Sequence, residues 1–229
     1  MDLTTTATTT AGTNATTVAP ADADKAATAR KRPKPGERRV QILQALAVML
    51  EQPGAERITT ASLAAHIGVS EAALYRHFAS KAQMYEGLIA FIEDSLFTLA
   101  NQIIEQEPDP ARQVARVLTL VLQFAEKNPG MTRVMVGDAL LFEHERLSAR
   151  MNQCMDRLES LLRQAYRLLA EQNGVDAPTV ASQAAASLAI SAVLGRLHRF
   201  DHTGFKRRPT EHLSAFVQSL VQAGMVPGH

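Results

Sequence analysis

"TTASLAAHIGVSEAALYRHF", residues 59–78, decides how this chain folds. Thr59 or Thr60 can cap a first short helix over about 60–66, and Ser70 can cap a second over 71–78. Glu71 in the first turn of the second helix complements its dipole. Gly68 between them can take the positive φ of a sharp turn, and Ala64 and Ala65 are small where two helices must approach. Ile67, Val69 and Leu74 supply an inner apolar face. Two helices joined this way form a helix-turn-helix. The outer face and end are left to Glu71, Ala72, Ala73, Tyr75, Arg76 and His77. Small residues at the start of such a helix let it enter a major groove and touch thymine methyls. Polar groups at its end, with Lys81 beyond, can hold phosphates and fix the register.

An Ala-rich helix pair with a glycine turn also occurs in helical proteins that bind no nucleic acid, so the charge pattern matters. The chain has 229 residues and a net charge of only +1. Residues 25–82 hold ten Lys/Arg against four acids, whereas residues 83–229 hold fourteen against sixteen. A basic front end on a slightly acidic body points to a polyanionic partner for the front end. Residues 25–39, "KAATARKRPKPGERR", read as a flexible basic arm able to lie along a duplex or reach its minor groove. The Thr/Ala-rich residues 1–24 before it read as disordered, because they cannot bury enough apolar surface to offset ordering.

Outward from this motif the chain reads as all-α. A first helix spans about 36–52, with Leu43, Leu46, Ala47 and Leu50 on one face, and "PGAER" (53–57) breaks it. Further helices are expected at 81–106, 110–127, about 140–172, 179–200 and 209–223, with a short helix or turn at 131–139. That makes about nine. Leu147, Met151, Cys154, Leu158, Leu161, Ala165 and Leu168 follow steps of three and four, which suits a coiled coil or ordinary helix packing. No apolar run reaches the ~18 residues of a membrane span, and the one cysteine, Cys154, allows no intramolecular disulfide. The expected compartment is the cytoplasm.

Enzyme chemistry finds little support. "GVSEA" (68–72) nears a nucleophile elbow, but Ala72 replaces the last glycine and the context is helical. Phosphate-loop motifs are absent. His198 and His202 are spaced i, i+4 with Asp201 beside them, a pattern that fits a metal but fits solvated helix-end residues better, so no metal and no cofactor is assigned. "FEHER" (142–146) reads as a polar face, and Cys154 as a small apolar residue.

The stretch 58–97, with its "LYRHF" end followed by Lys81, resembles the DNA-binding domain of TetR-type regulators. "FIEDSL", "EKNPGMTRVMVGDALLFEHERLSARMNQCMDRLESLLRQ" and "FKRRPT" extend the likeness to the SlmA-type nucleoid-occlusion factors, over about residues 36–220. The resemblance implies a helix-turn-helix domain over 36–96 and a helical regulatory and dimerisation domain over 97–229. It implies a homodimer on palindromic double-stranded DNA that antagonises polymers of the division GTPase FtsZ. The DNA-contacting set is then Thr59, Thr60, Ser70, Glu71, Ala72, Ala73, Tyr75, Arg76, His77 and Lys81. The FtsZ tail would be taken near Phe91, Leu99, Leu120, Lys127 and Asn128, with Lys127 standing where the family tends to place Arg. Dimerisation would use the small-residue run 184–195 and a face of Leu213, Phe216, Val217 and Leu220, a reading preferred to monomer core because two-fold symmetry on palindromic half-sites requires a dimer contact. A ligand-released TetR-type repressor, expected to hold a roomy apolar cavity within 81–200, is the alternative.

Overall fold

The structure is a computed structural model, and it describes residues 36–52 and 58–225. The expectations for residues 1–35 and for the break at 53–57 lie outside the described residues. Among those described, nine α-helices and one 3₁₀ turn form in the order expected, with no strand. They are α1 (Glu37–Leu50), α2 (Thr60–Ile67), α3 (Glu71–Tyr75), α4 (Lys81–Gln106), α5 (Pro110–Lys127), α6 (Pro129–Met135), the 3₁₀ turn Asp138–Leu140, α7 (Glu145–Gln172), α8 (Pro178–His202) and α9 (Leu213–Ala223). One apolar core runs from Ile42 and Leu46 of α1 through α4, α5 and α7 to Val217 and Val221 of α9.

Several boundaries differ from the sequence reading, each for a local reason. The second helix of the motif ends at Tyr75 rather than residue 78, because the chain turns to bury Phe78. The long helix begins at Glu145 rather than near 140, where the His144 ring accepts the Arg146 N–H as its cap. The last helix begins at Leu213, since His212 stands at φ 51. In α7 the expected stripe holds through Leu158 and then drifts: Leu162 and Leu169 are buried, whereas Leu168 is exposed. A straight helix of 3.6 residues per turn cannot keep a 3.5-residue stripe on one face. The stretch therefore behaves as a core helix, packed most extensively along α8. Two helices, α4 and α8, do combine the length and mean hydropathy of a membrane span, but both bury an apolar stripe in the core.

The proposed dimer face on α9 needs correction. Val217 and Leu220 are each 6% exposed within the single chain, so they belong to its own core. Phe216 is half-buried, with the Arg196 guanidinium 3.7 Å from its ring centroid.

What joins the motif to the body is the seam between α1 and α6. A Cβ at Gly130 would lie 1.9 Å from the Ala47 carbonyl oxygen, so only glycine permits this approach. One helical turn on, Arg133 donates from Nη1 to the carbonyls of Leu50 and Gln52, both at 2.9 Å. Leu50 is the last residue of α1 and Gln52 lies two residues beyond it, so the guanidinium holds the helix end. Its Nε donates to Asp201 of α8 at 2.6 Å, and its guanidinium lies 5.0 Å from the centre of the Phe205 ring. Phe205 holds φ 63, a costly backbone for a bulky residue, and packs edge-on to Phe200. Burial first, joined by the hydrogen bond and charge of the neighbouring Asp138, holds the Asp201 carboxyl above its ordinary range against the downward pull of Arg133. Gly130→Ala is expected to force α6 off α1 and lower stability by about 1–3 kcal/mol. Thermal unfolding followed by circular dichroism checks this, and an unchanged midpoint would mean that the seam is looser than described.

Candidate nucleic-acid interface

The motif is fastened at each end by its own backbone. Thr59 accepts from the Ser62 N–H, and Ser62 accepts from the Thr59 N–H, a reciprocal box that starts α2. Gly68, at φ 74, closes α2 with its N–H on Ala65 and the next N–H, of Val69, on Ala64. Ser70 then caps α3 by accepting from Ala73 N–H. Leu63, Ala64, Leu74 and Phe78 are buried beneath the pair. The apolar residues thus hold α3 by one side and leave Glu71, Ala72, Tyr75, Arg76 and His77 exposed, with Ala73 partly so.

Three of the expected contact residues are linked to one another. Thr60 Oγ1 donates to Glu71 Oε2 at 2.7 Å, and Tyr75 Oη donates to Thr60 Oγ1 at 3.4 Å. This chain ties α2 to α3 across the turn. It also turns the Glu71 carboxylate toward a hydroxyl on α2. The Arg76 side chain makes no ion pair or hydrogen bond among the described residues and is exposed at the end of α3. Lys81, by contrast, is ion-paired to Glu143 at 2.5 Å, in the turn before α7, and lies 5.7 Å from the centre of the Tyr85 ring. Its first structural role is to fasten the start of α4 to the body. The Tyr85 hydroxyl is pushed well above its ordinary range, by burial first and then by the Glu143 charge.

The sequence reading missed one residue of this site. Arg39 was counted in the basic arm, yet its Nη1 donates to the His77 carbonyl at 2.8 Å and its guanidinium sits 4.0 Å over the Phe78 ring. It holds the end of α3 from α1. An RR pair at the start of an amphipathic helix carries no signal for such a clamp, because the partner is a backbone carbonyl thirty-eight residues away.

The second expected cluster lies on the α4–α5 hairpin. Phe91 and Leu99 are 49% and 46% exposed on α4, unusual for large apolar side chains. Leu120 is half-buried, and Lys127 is exposed at the last position of α5. Asn128 spends its side-chain amide on the Phe124 carbonyl, 2.7 Å away, closing α5. Lys127 lines a small cleft with Gln123, Glu126, Thr210 and Leu213. Thr210 donates to Glu126 across that cleft.

Both halves of the chain match known families. Residues 42–88 match the family described as bacterial regulatory proteins, tetR family. Residues 109–223 match the SlmA-like family described as tetracyclin repressor-like, C-terminal domain. The nucleoid occlusion factor SlmA of Photobacterium profundum is 51% identical over 188 residues, covering 82% of this chain and 95% of that protein. That of Alteromonas mediterranea is 48% identical over 194 residues, covering 82% and 98%. Among solved structures, the TetR family regulator PfmR of Thermus thermophilus superposes with a TM-score of 0.62 at 24% identity, covering 80% of this chain and 97% of that one. A TetR-like regulator from Rhodococcus gives 0.64 at 17%, covering 84% and 96%. These two show the fold alone. With about half of the aligned residues identical along nearly the full length of those relatives, the chain belongs to the SlmA family of nucleoid occlusion factors, built on the TetR-type fold.

Proposed function

We propose that this protein binds palindromic chromosomal DNA as a homodimer and, once bound, inhibits FtsZ ring assembly over the nucleoid. It is then a cytoplasmic, nucleoid-associated regulator of division rather than an enzyme. The observation that carries the DNA half is the outer end of α3, where Ala72, Tyr75, Arg76 and His77 are exposed and the fold does not use the Arg76 charge. Residues 36–96 would read DNA and residues 97–229 would supply the other tasks. Thr59, Thr60, Ser70 and Glu71 would act by shaping the motif, with Ala72 and Ala73 against base edges and Tyr75, Arg76 and His77 on phosphates.

Two surfaces support the body's tasks. On α8, Val180 and Leu188 are 53% and 52% exposed, and Ala184, Ser187, Ser191 and Gly195 continue the same outward stripe. Small residues permit close helix approach, and a two-fold dimer needs such a self-complementary face. With Val217 and Leu220 of α9 spent inside the chain, this stripe is the better dimer contact. Phe91 and Leu99, with Leu120, Lys127 and Asn128 toward the hairpin's other helix, would take the FtsZ tail, an extended peptide of acidic and apolar residues.

Arg76→Ala is expected to weaken binding across many duplexes and to lower the slope of log K against log salt by about 1, whereas substituting Ala72 or Ala73 changes site choice. Fluorescence anisotropy over a salt series checks both. Purified FtsZ with GTP should lose sedimentable polymer when this protein and a selected cognate duplex are added, but not with a scrambled duplex. Phe91→Ala and Lys127→Ala should abolish that loss while leaving DNA affinity unchanged. Polymer that survives a dimeric, duplex-bound protein would favour a ligand-released repressor.

A further inference from the structure

Three side chains that the proposed function does not use converge where α8 ends. His198 and His202 stand one turn apart on the same face of α8, their ring centroids 5.8 Å apart. Across from them the 3₁₀ turn presents Asp138, whose Oδ2 is 3.0 Å from His202 Nε2. One donor atom from each of the three lies within 4.8 Å of the others. The sequence reading had set Asp201 beside the histidines, but Asp201 points to Arg133 and Asp138 takes its place.

We propose that Asp138, His198 and His202 form a binding site for a divalent transition cation of the zinc type. Two imidazoles and a carboxylate are a donor set that suits zinc, nickel or copper and disfavours magnesium or calcium, which prefer oxygen throughout. Tetrahedral zinc with bonds of about 2.0–2.2 Å needs its donors roughly 3.4 Å apart. The Asp138–His202 pair, at 3.0 Å, stands close to that spacing, and the three donors, now within 4.8 Å of one another, need only small side-chain rotations to reach it. Three protein donors leave a fourth position for water. The charge also fits. Asp201 already holds the Arg133 guanidinium at 2.6 Å, which leaves the Asp138 carboxylate, 3.0 Å from His202 Nε2, to face the imidazoles. Access is open, because Asp138 and His202 line a cleft of about 600 Å³ that also runs past Leu50, Arg133 and Phe205.

The position gives the ion a structural consequence. Bound there, it fastens the 3₁₀ turn to α8 beside Arg133, the residue that carries the end of α1. A cation would therefore strengthen the seam between the DNA-reading motif and the body.

The test is equilibrium dialysis of the full-length, chelator-treated protein against zinc chloride, with thermal unfolding and the visible spectrum of the cobalt(II) form measured alongside. The expected result is saturation at one zinc per chain, a midpoint that rises with zinc, and the intense visible bands of tetrahedral cobalt. His198→Ala with His202→Ala should weaken zinc binding at least tenfold, and Asp138→Asn alone should also weaken it. Both variants should keep wild-type helicity, since His202 is exposed and Asp138 and His198 are only half-buried, none of them in the apolar core. Absence of a saturable site at one zinc per chain would overturn the proposal. So would zinc binding by both variants with wild-type affinity, which would place the ion on other histidines.

Discussion

Arg133 is the constraint on which the rest of the molecule depends. One guanidinium closes the open carbonyls at the end of α1, pairs with a carboxylate that is 4% exposed on α8 and lies against Phe205. Taking away such a charge would leave Asp201 buried with no cation against it, only the neighbouring Asp138, a loss of about 3–5 kcal/mol for buried pairs of this kind. The side chain can reach all of these only because α6 touches α1 at Gly130, with no Cβ between them. The seam is thus set by a missing side chain and a charged one working a single turn apart.

With α1 fixed to the body, the motif it carries is fixed as well. Arg39 passes the constraint from α1 to the end of α3, and Lys81 does the same from the start of α4 to the turn before α7. The α3 helix is too short to be stable by itself. It is held by Leu74 and Phe78 beneath it, by its Ser70 cap and by the hydroxyl chain through Thr60 to Glu71. Because those contacts come from one side, the other side is free to meet DNA. In the same way, α4 serves the core with one stripe and leaves Phe91 and Leu99 outside it.

Much of this was legible in the sequence. Helix order, the glycine turn, the Ser70 cap and the inner face of the motif followed from propensity and period, because they depend on neighbours within one or two turns. The likeness carried by "LYRHF" and "FKRRPT" pointed to the family, and the relatives bear that out. The misreadings share a cause. Whether the α9 apolar face is core or interface depends on whether α5 lies against it. Whether Asp201 or Asp138 faces the histidines depends on where α6 ends. Arg39 and Arg133 act on backbone carbonyls thirty-eight and more than eighty residues away, and no side-chain pattern marks a carbonyl as an acceptor.

The most direct test of a rigid seam is the distance between the two motifs of a dimer, measured by electron–electron resonance with spin labels on Ala79→Cys. Native Cys154 will not compete for the label, since it is fully buried and burial pushes its thiol up to about 12. A motif fixed by Arg133 and Gly130 predicts one narrow distance distribution in the free protein, little changed when a cognate duplex is added. A broad distribution in the free dimer that narrows only on DNA would contradict it, because the duplex rather than the seam would then be setting the position of α3.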